Sequence, residues 1–317
     1  MTAALWIAGA LLAVYLLVSL TLFMLIFRRG PDPLKSTSVK LEKLLEPYHE
    51  LMDAGRSWQE NHPYETAEIT SFDELKLRAR LYLHPEARAV LVACHGYRSS
   101  GVRDFASAIR YYNEHRMSVL LIDQRACGES GGACITFGIK ERHDARSWCE
   151  YAASRFPGLP IGLAGISMGA AAVLMTADDL PDAVSAILAD CGYTSAWEEL
   201  SYAAKHYYTP AAALFLPGVE LFCRLLGGFS LKERTAPEAL ANSSLPVFFA
   251  HGEADELVPP ENTLKNRAAC AGPTELLLVP GADHGMSYLV DHAGYCRALD
   301  DFLETYVLTG QRPDDRE

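Results

Sequence analysis

A short apolar run passes directly into an Ala-rich helical pattern in IGLAGISMGAAAVLM, residues 161–175. Ser167 stands at the change of pattern, between Gly165 and Gly169 in a G-x-S-x-G segment. In such a segment a sharp turn between strand and helix lifts the serine Oγ above the sheet, and small flanking residues let the two elements approach closely. The stretch therefore predicts a buried strand, a tight turn that carries a candidate nucleophile, and a helix.

The same pattern occurs a second time, around Ser130 in residues 128–132. This segment follows a strand only after a Gly-rich gap, and no helical pattern begins after it. We therefore interpret Ser130 as a loop residue and Ser167 as the candidate nucleophile.

Further apolar runs lie on both sides of residues 161–166 and are separated by helical patterns. Runs of this kind are typical of parallel strands covered on both faces, and their alternation with helices indicates a doubly wound α/β sheet. The predicted strands cover 89–93, 119–122, 161–166, 186–189, 247–250 and 276–279. The predicted helices cover 104–115, 140–156, 168–178, 261–271 and 286–306. Residues 75–83 alternate instead, which predicts an antiparallel strand with one solvated face.

The interval over about 192–244 has no strand pattern. It is helical in pattern and rich in Tyr, Phe and Leu, which predicts an insertion packed over the sheet as a cap. Its aromatic residues are candidates for substrate contact. Cap helices must also bury one apolar face, so the alternative that these residues belong to the hydrophobic core stays open. These residues are Trp197, Tyr202, Tyr207, Tyr208, Phe215, Phe222 and Phe229.

The N-terminal segment is apolar without interruption, because residues 3–27 contain no charged side chain. As a helix it would be about 37 Å long, enough to cross a bilayer core of about 30 Å. A cleaved signal peptide is the alternative, but no Lys or Arg precedes the apolar run, which is also long for a signal peptide. We expect a transmembrane anchor over 1–30, a juxtamembrane connector over 31–64 and one α/β domain over 65–310.

The distribution of charge favours one orientation and excludes one class of partner. Arg28, Arg29, Lys35, Lys40 and Lys43 all follow the apolar segment, so the positive-inside rule predicts that the domain faces the cytoplasm. The eight cysteines show no CxxC pair and no zinc spacing, which fits reduced residues in a reducing compartment. With 28 basic and 40 acidic residues, a formal net charge of −12, the chain is not expected to bind nucleic acid.

A serine nucleophile needs a base, and the base needs an acid that orients it. His284 follows a predicted strand directly, at the sheet edge where ligands bind in open α/β folds, so it is the candidate base. Asp255, in the loop after the predicted strand 247–250, is the candidate acid, and Asp190 at the end of an earlier strand is the alternative. Three other histidines are interpreted as surface or structural residues: His206, His251 and His292.

The remaining requirement is a pair of backbone N–H groups that bind the negative charge of the reacting carbonyl oxygen. One comes from the residue after the nucleophile, Met168. The other should come from the loop after the first long buried strand, where residues 94–100 read CHGYRSS and Tyr97 is the candidate.

Together these segments resemble the α/β-hydrolase superfamily, in particular its serine-aminopeptidase-like and lipase-like serine hydrolases. The resemblance covers about residues 65–306. It rests on five segments in order: His95-Gly96-Tyr97, the Asp-x-Arg-x-x-Gly-x-Ser loop of residues 123–130, the Ser167 segment, the His-Gly-x-x-Asp-x-x-Val-Pro loop of residues 251–259, and the Gly-x-x-His-Gly loop of residues 281–285. The chain departs from the family pattern at Ala126-Cys127, where relatives usually have Gly directly after the Arg.

The resemblance implies hydrolysis through an acyl-enzyme, with no metal and no organic cofactor. In this reaction Ser167 would attack a carbonyl, His284 would take and return the proton, and Asp255 would hold the imidazole. The favoured hypothesis is a membrane-anchored hydrolase of small or lipid-like carboxylic esters. The alternatives are a peptidase or amidase with the same triad, and a non-catalytic membrane-tethered binding protein on the same fold.

Overall fold

An eight-stranded sheet forms the centre of the protein in this computed structural model, which describes residues 2–30 and 44–309. The strands are β1 (Glu65–Thr70), β2 (Lys76–Tyr82), β3 (Ala89–Cys94), β4 (Met117–Ile122), β5 (Ile161–Ile166), β6 (Val184–Asp190), β7 (Val247–Gly252) and β8 (Thr274–Val279). Their order is β1-β2-β4-β3-β5-β6-β7-β8. The pairs β1–β2 and β2–β4 are antiparallel, and the other pairs are parallel.

Helices cover both faces of this sheet. They are α1 (Thr2–Phe27), α2 (His49–Asn61), α3 (Gly101–Asp104), α4 (Ile109–Glu114), α5 (Glu141–Arg155), α6 (Met168–Met175), α7 (Ala196–Ala203), α8 (Leu216–Phe222), α9 (Ala236–Leu240), α10 (Glu261–Ala269), α11 (Ser287–Val290) and α12 (His292–Tyr306). The sheet therefore has a hydrophobic core on each face. In strand β3, Val90 and Val92 pack into the core on one face, while Leu91 packs into the core on the other face. Every residue of β3, β4, β6 and β7 is buried, as expected for strands covered on both faces.

The predicted fold class is confirmed, but two predicted helices are each divided in two. The prediction of one helix over 104–115 is wrong, because the Ser100 side chain accepts a hydrogen bond from the Arg103 amide and starts α3 earlier, and the chain turns before α4. The prediction of one helix over 286–306 is wrong at Asp291. This residue has non-helical backbone angles, and its carboxylate caps α12 by accepting from the Gly294 amide.

The segment between β6 and β7 contains no strand. It is built from α7, a π-helical turn (Ala204–Tyr208), a 3-10 helix (Pro210–Phe215), α8, a second π-helical turn (Cys223–Gly227) and α9. We call residues 191–246 the cap segment.

The C-terminal end of α1 packs into the body of the protein. Phe27 is fully buried between the rings of Phe137 and Phe229, at centroid distances of 5.4 and 5.6 Å. The helix is long and apolar enough to cross a membrane. Residues 31–43, the first part of the predicted connector with the cations Lys35, Lys40 and Lys43, lie outside the described residues.

Candidate active site

Ser167 occupies a strained turn between β5 and α6. Its backbone angles are φ +56° and ψ −117°, a conformation that residues with a side chain rarely adopt. Two glycines allow the turn to close. A Cβ at Gly165 would lie 2.4 Å from the Gly169 carbonyl carbon, and a Cβ at Gly169 would lie 2.1 Å from the Cys94 oxygen. The small residues of the G-x-S-x-G segment are therefore required by close backbone contacts.

Replacing Gly165 by Ala is expected to lower the free energy of unfolding by about 1–3 kcal/mol, because the backbone at the turn must shift to admit a methyl group. Gly162→Ala is the matched control on the same strand, since its added methyl group would find neighbours only at 3.4 Å or beyond. Urea unfolding of both variants measures the difference. Equal stability of the two variants would contradict this account of the turn.

The structure brings Ser167, His284 and Asp255 together from three separate loops. His284 Nε2 lies 2.8 Å from Ser167 Oγ, and His284 Nδ1 lies 2.7 Å from Asp255 Oδ2. Because an ionised carboxylate only accepts hydrogen bonds, His284 donates from Nδ1 and accepts the serine proton at Nε2. The Asp255 side chain is fully buried, whereas the imidazole of His284 is one-fifth exposed, with a side-chain exposure of 20%.

The carboxylate of Asp255 accepts hydrogen bonds at both oxygens. Oδ1 accepts from the amides of Leu257 and Val258, both at 2.9 Å, while Oδ2 accepts from His284 and from His251 Nε2 at 3.1 Å. Burial alone raises the pKa of this group, but the histidine and backbone hydrogen bonds outweigh burial and lower its pKa to about 2. Asp255 is therefore ionised at neutral pH and orients the imidazole.

His251 has a structural role that the sequence did not reveal in detail. It is completely buried, its Nδ1 lies 2.7 Å from Thr263 Oγ1, and its Nε2 lies 2.8 Å from the Val258 carbonyl oxygen. The Thr263 hydroxyl donates to Nδ1, which leaves Nε2–H shared between Val258 and Asp255. His251 thus holds the loop of Asp255 in place.

The alternative candidates make other contacts. Asp190 is buried at the end of β6 and accepts from Ser287 Oγ at 3.3 Å, and burial raises the pKa of its carboxyl group. Ser130 Oγ accepts from the Arg78 amide at 2.8 Å and donates to the Asp123 carbonyl oxygen at 2.5 Å, so it joins a loop to β2. Two histidines are exposed: His206 in the cap segment and His292 on α12.

The loop after β3 lies beside Ser167. A Cβ at Gly96 would lie 3.5 Å from Ser167 Cβ, and the Gly96 amide donates to Asp104 Oδ2 at 2.8 Å. Among the hydrogen bonds of the described residues, none uses the amide of Tyr97 or Met168. Asp104 orders this loop, and its carboxylate was not recognisable from the sequence because it acts on a loop eight residues earlier.

A mainly apolar cavity of about 330 Å³ adjoins Ser167 and His284. Its volume is within the range that holds a small ligand. None of the seven cap aromatics lines this cavity; the lining instead includes Tyr112, Met286 and, from the segment before β1, Leu45. The aromatic pattern of the cap therefore did not identify the residues around the cavity.

One group of ligand-type atoms lies close together at the same place. The side-chain atoms of Cys191, Asp255 and His284 are within 4.8 Å of one another. Both oxygens of Asp255 already accept two hydrogen bonds each, so the geometry favours the histidine–carboxylate pair over a metal site at this point.

Comparison with known proteins supports the fold described above. A family model described as "Serine aminopeptidase, S33" matches residues 85–220. The Pyrococcus furiosus esterase Pf2001 superposes with a TM-score of 0.63 at 21% identity, over 78% of this chain and 92% of that chain. The chain has the α/β-hydrolase fold, and part of it is similar to the serine aminopeptidase family.

Other proteins similar to this chain extend the comparison. The uncharacterized protein YqkD of Bacillus subtilis is 27% identical over 217 residues, which cover 68% of this chain and 70% of YqkD. Protein bem46 of Schizosaccharomyces pombe is 25% identical over 250 residues, which cover 77% of each chain. The α/β hydrolase GrgF from Penicillium sp. sh18 superposes with a TM-score of 0.60 at 18% identity, over 77% of this chain and 99% of GrgF.

Proposed function

We propose that this protein is a serine hydrolase that cleaves carboxylic esters through an acyl-enzyme formed on Ser167. The observation that carries the proposal is the unbroken hydrogen-bonded chain from Ser167 Oγ through His284 to Asp255, with distances of 2.8 and 2.7 Å, beside an apolar cavity. Such an arrangement activates a serine hydroxyl, which is a weak nucleophile without a base.

In the first step Ser167 Oγ attacks the ester carbonyl carbon while His284 Nε2 takes the hydroxyl proton. The Tyr97 and Met168 amides bind the negative oxygen of the tetrahedral intermediate, and Asp255 stabilises the imidazolium. The intermediate collapses when the C–O bond to the alcohol breaks and His284 returns the proton to the leaving oxygen. In the second step water attacks the acyl-enzyme with His284 again as base, which releases the acid and restores Ser167.

The cavity supports an acyl group of apolar character. It is enclosed by the side chains of Tyr112, Leu188 and Met286 beside the nucleophile. We favour an ester over a peptide because the cavity beside the nucleophile is mainly apolar. The name of the structural neighbour Pf2001, an esterase, is consistent with an ester substrate.

We further propose that α1 anchors the enzyme in a membrane and that the catalytic domain faces the cytoplasm. The helix has 25 consecutive uncharged residues, Ala3–Phe27, with a mean hydropathy of 2.7 over an 18-residue window, and Arg28 and Arg29 follow it directly. Cations that flank an apolar helix on one side favour retention of that side in the cytoplasm.

A fluorophosphonate probe tests the nucleophile. The wild type should be labelled, Ser167→Ala should not, and Ser130→Ala should be labelled like the wild type. Hydrolysis of nitrophenyl esters by Ser167→Ala should fall by about 10⁴- to 10⁶-fold. An unlabelled wild type, under conditions in which other serine hydrolases react, would show that the fold carries a binding function instead.

A substrate panel then separates ester from amide hydrolysis. Nitrophenyl esters of increasing chain length should be cleaved faster than aminoacyl anilides. Faster cleavage of the anilides would replace the esterase proposal by the peptidase alternative.

A further inference from the structure

Helix α1 is free along its first half and docked along its second. Leu5, Trp6 and Leu11 are largely exposed, whereas from Tyr15 onwards the helix packs on the cap segment. The ring of Tyr15 stacks on that of Phe215 at 5.4 Å, and the Tyr15 hydroxyl donates to the Leu214 carbonyl oxygen at 3.2 Å. The docked half therefore begins about 12 residues before the end of the helix.

The free half is too short to cross a bilayer. Residues 3–14 span about 18 Å, whereas the hydrocarbon core is about 30 Å thick. A membrane-spanning α1 must therefore carry part of its docked half at hydrocarbon depth. The docking is close, since a Cβ at Gly218 would lie 2.1 Å from Ser19 Oγ, so the cap segment cannot be separated from α1 without opening this contact.

The part of the cap segment that touches α1 has the surface of a lipid-facing element. Pro210–Gly227 has a mean hydropathy of 1.4 over 18 residues. It exposes four leucines: Leu214, Leu221, Leu225 and Leu226. The surfaces of soluble proteins expose scattered single apolar residues. A group of large apolar side chains beside an apolar helix instead indicates a contact surface.

The polar groups of this segment are already paired. The Glu220 carboxylate accepts from Arg224 Nε at 2.7 Å, from Ser230 Oγ at 2.6 Å and from the Leu231 amide at 2.8 Å. The backbone is helical throughout, so its helical hydrogen bonds are made within the segment, and the Leu214 carbonyl oxygen accepts from Tyr15 on α1.

We propose that the face formed by α1 and residues 210–227 is embedded in a lipid bilayer, within the leaflet nearest the catalytic domain. The proposal rests on the proposed membrane anchor and ester hydrolysis and specifies where the substrate comes from. The end of α1 contacts the loop beside the nucleophile, because the Tyr97 hydroxyl donates to the Ile26 carbonyl oxygen and Arg98 donates to the Leu25 carbonyl oxygen, both at 2.6 Å. This contact holds the Ser167 site at the membrane surface, where an ester with a bilayer-embedded acyl chain reaches it.

Photo-crosslinking in the full chain tests the embedded surface directly. Benzoylphenylalanine is placed at Leu225, which is 67% exposed, or at Leu264 on α10, which is 44% exposed and is the control. The protein is reconstituted in phosphatidylcholine vesicles and irradiated. Mass spectrometry should detect lipid adducts at position 225 and none at position 264. Absence of adducts at 225, or equal yields at both positions, would overturn the proposal.

A pair of substrates tests the consequence for catalysis. The double variant Leu225→Glu, Leu226→Glu should hydrolyse a long-chain ester in vesicles at least tenfold more slowly than the wild type. Its rate on nitrophenyl acetate and its Tm should be unchanged, and Leu264→Glu should match the wild type on both esters. Equal rates of the double variant and wild type on the vesicle ester would overturn the proposed route. A wild type that cleaves neither ester but forms adducts at 225 would refute ester hydrolysis and leave the embedded surface standing.

Discussion

Replacing Asp255 by Asn is expected to lower kcat by about 10⁴-fold with little change in stability or KM. The amides of Leu257 and Val258 both donate to one carboxylate oxygen, so the single oxygen of Asn would face them. The Asn NH₂ group would then face His284 Nδ1 and donate to it. His284 would have to carry its proton on Nε2, where it could no longer accept the proton of Ser167.

The matched control is Asp190→Asn, because Asp190 is the other buried carboxyl group that the sequence offers as the acid. Burial raises the pKa of its carboxyl group, so Asn, which matches the carboxyl group in shape, should be tolerated there. We expect kcat of this variant within about tenfold of the wild type. Initial rates on a nitrophenyl ester measure both variants. A larger loss with Asp190→Asn than with Asp255→Asn would assign the acid to Asp190.

Replacing Arg125 by Leu is expected to lower the free energy of unfolding by about 3–5 kcal/mol, because it leaves a buried carboxylate without its partner. The guanidinium is 2% exposed and donates to both oxygens of Asp144 at 2.7 Å, and Asp144 is equally buried. Arg125 also donates to Asp73 at 2.9 Å in the turn between β1 and β2. The loop that contains Ser130 is thereby tied to α5 and to the edge of the sheet.

Two further variants separate this effect from ordinary loss of charge. Arg155→Leu breaks an ion pair with Glu65 whose side chains are 43% and 52% exposed, so the loss should be at most about 1 kcal/mol. The double variant Arg125→Leu, Asp144→Leu removes both buried charges and should recover part of the stability lost by Arg125→Leu. Urea unfolding gives all three values. If Arg125→Leu were no more destabilising than Arg155→Leu, the buried pair would not stabilise the fold as described.

The fold class could be predicted from local sequence because its signals are local. Six apolar runs became the parallel part of the sheet, and each observed strand overlaps its predicted run. Helix ends were less predictable where a side chain stops the helix. Asp291 divides the last helix by capping, and its effect depends on the position of one carboxylate beside the Gly294 amide.

The candidate site could be predicted in its parts, since Ser167, Asp255 and His284 each follow a predicted strand at the same sheet edge. The supporting contacts could not. His251 and Asp104 stabilise the loops of the site through hydrogen bonds that form only after distant segments meet. The cavity lining was also not predictable, because Leu45 comes from a segment that the sequence presented as a connector.

The sequence by itself determined an apolar N-terminal helix, an α/β sheet and the order of the reactive residues, because these follow from periodicity and from residue types at fixed local spacing. The tertiary structure alone decided that α1 is docked along half of its length and that its last carbonyl groups bind the loop beside Ser167. Contacts of this kind depend on the shapes of two surfaces far apart in the chain. Hydropathy indicates only that each surface is apolar, so only the folded structure shows that the two surfaces are in contact.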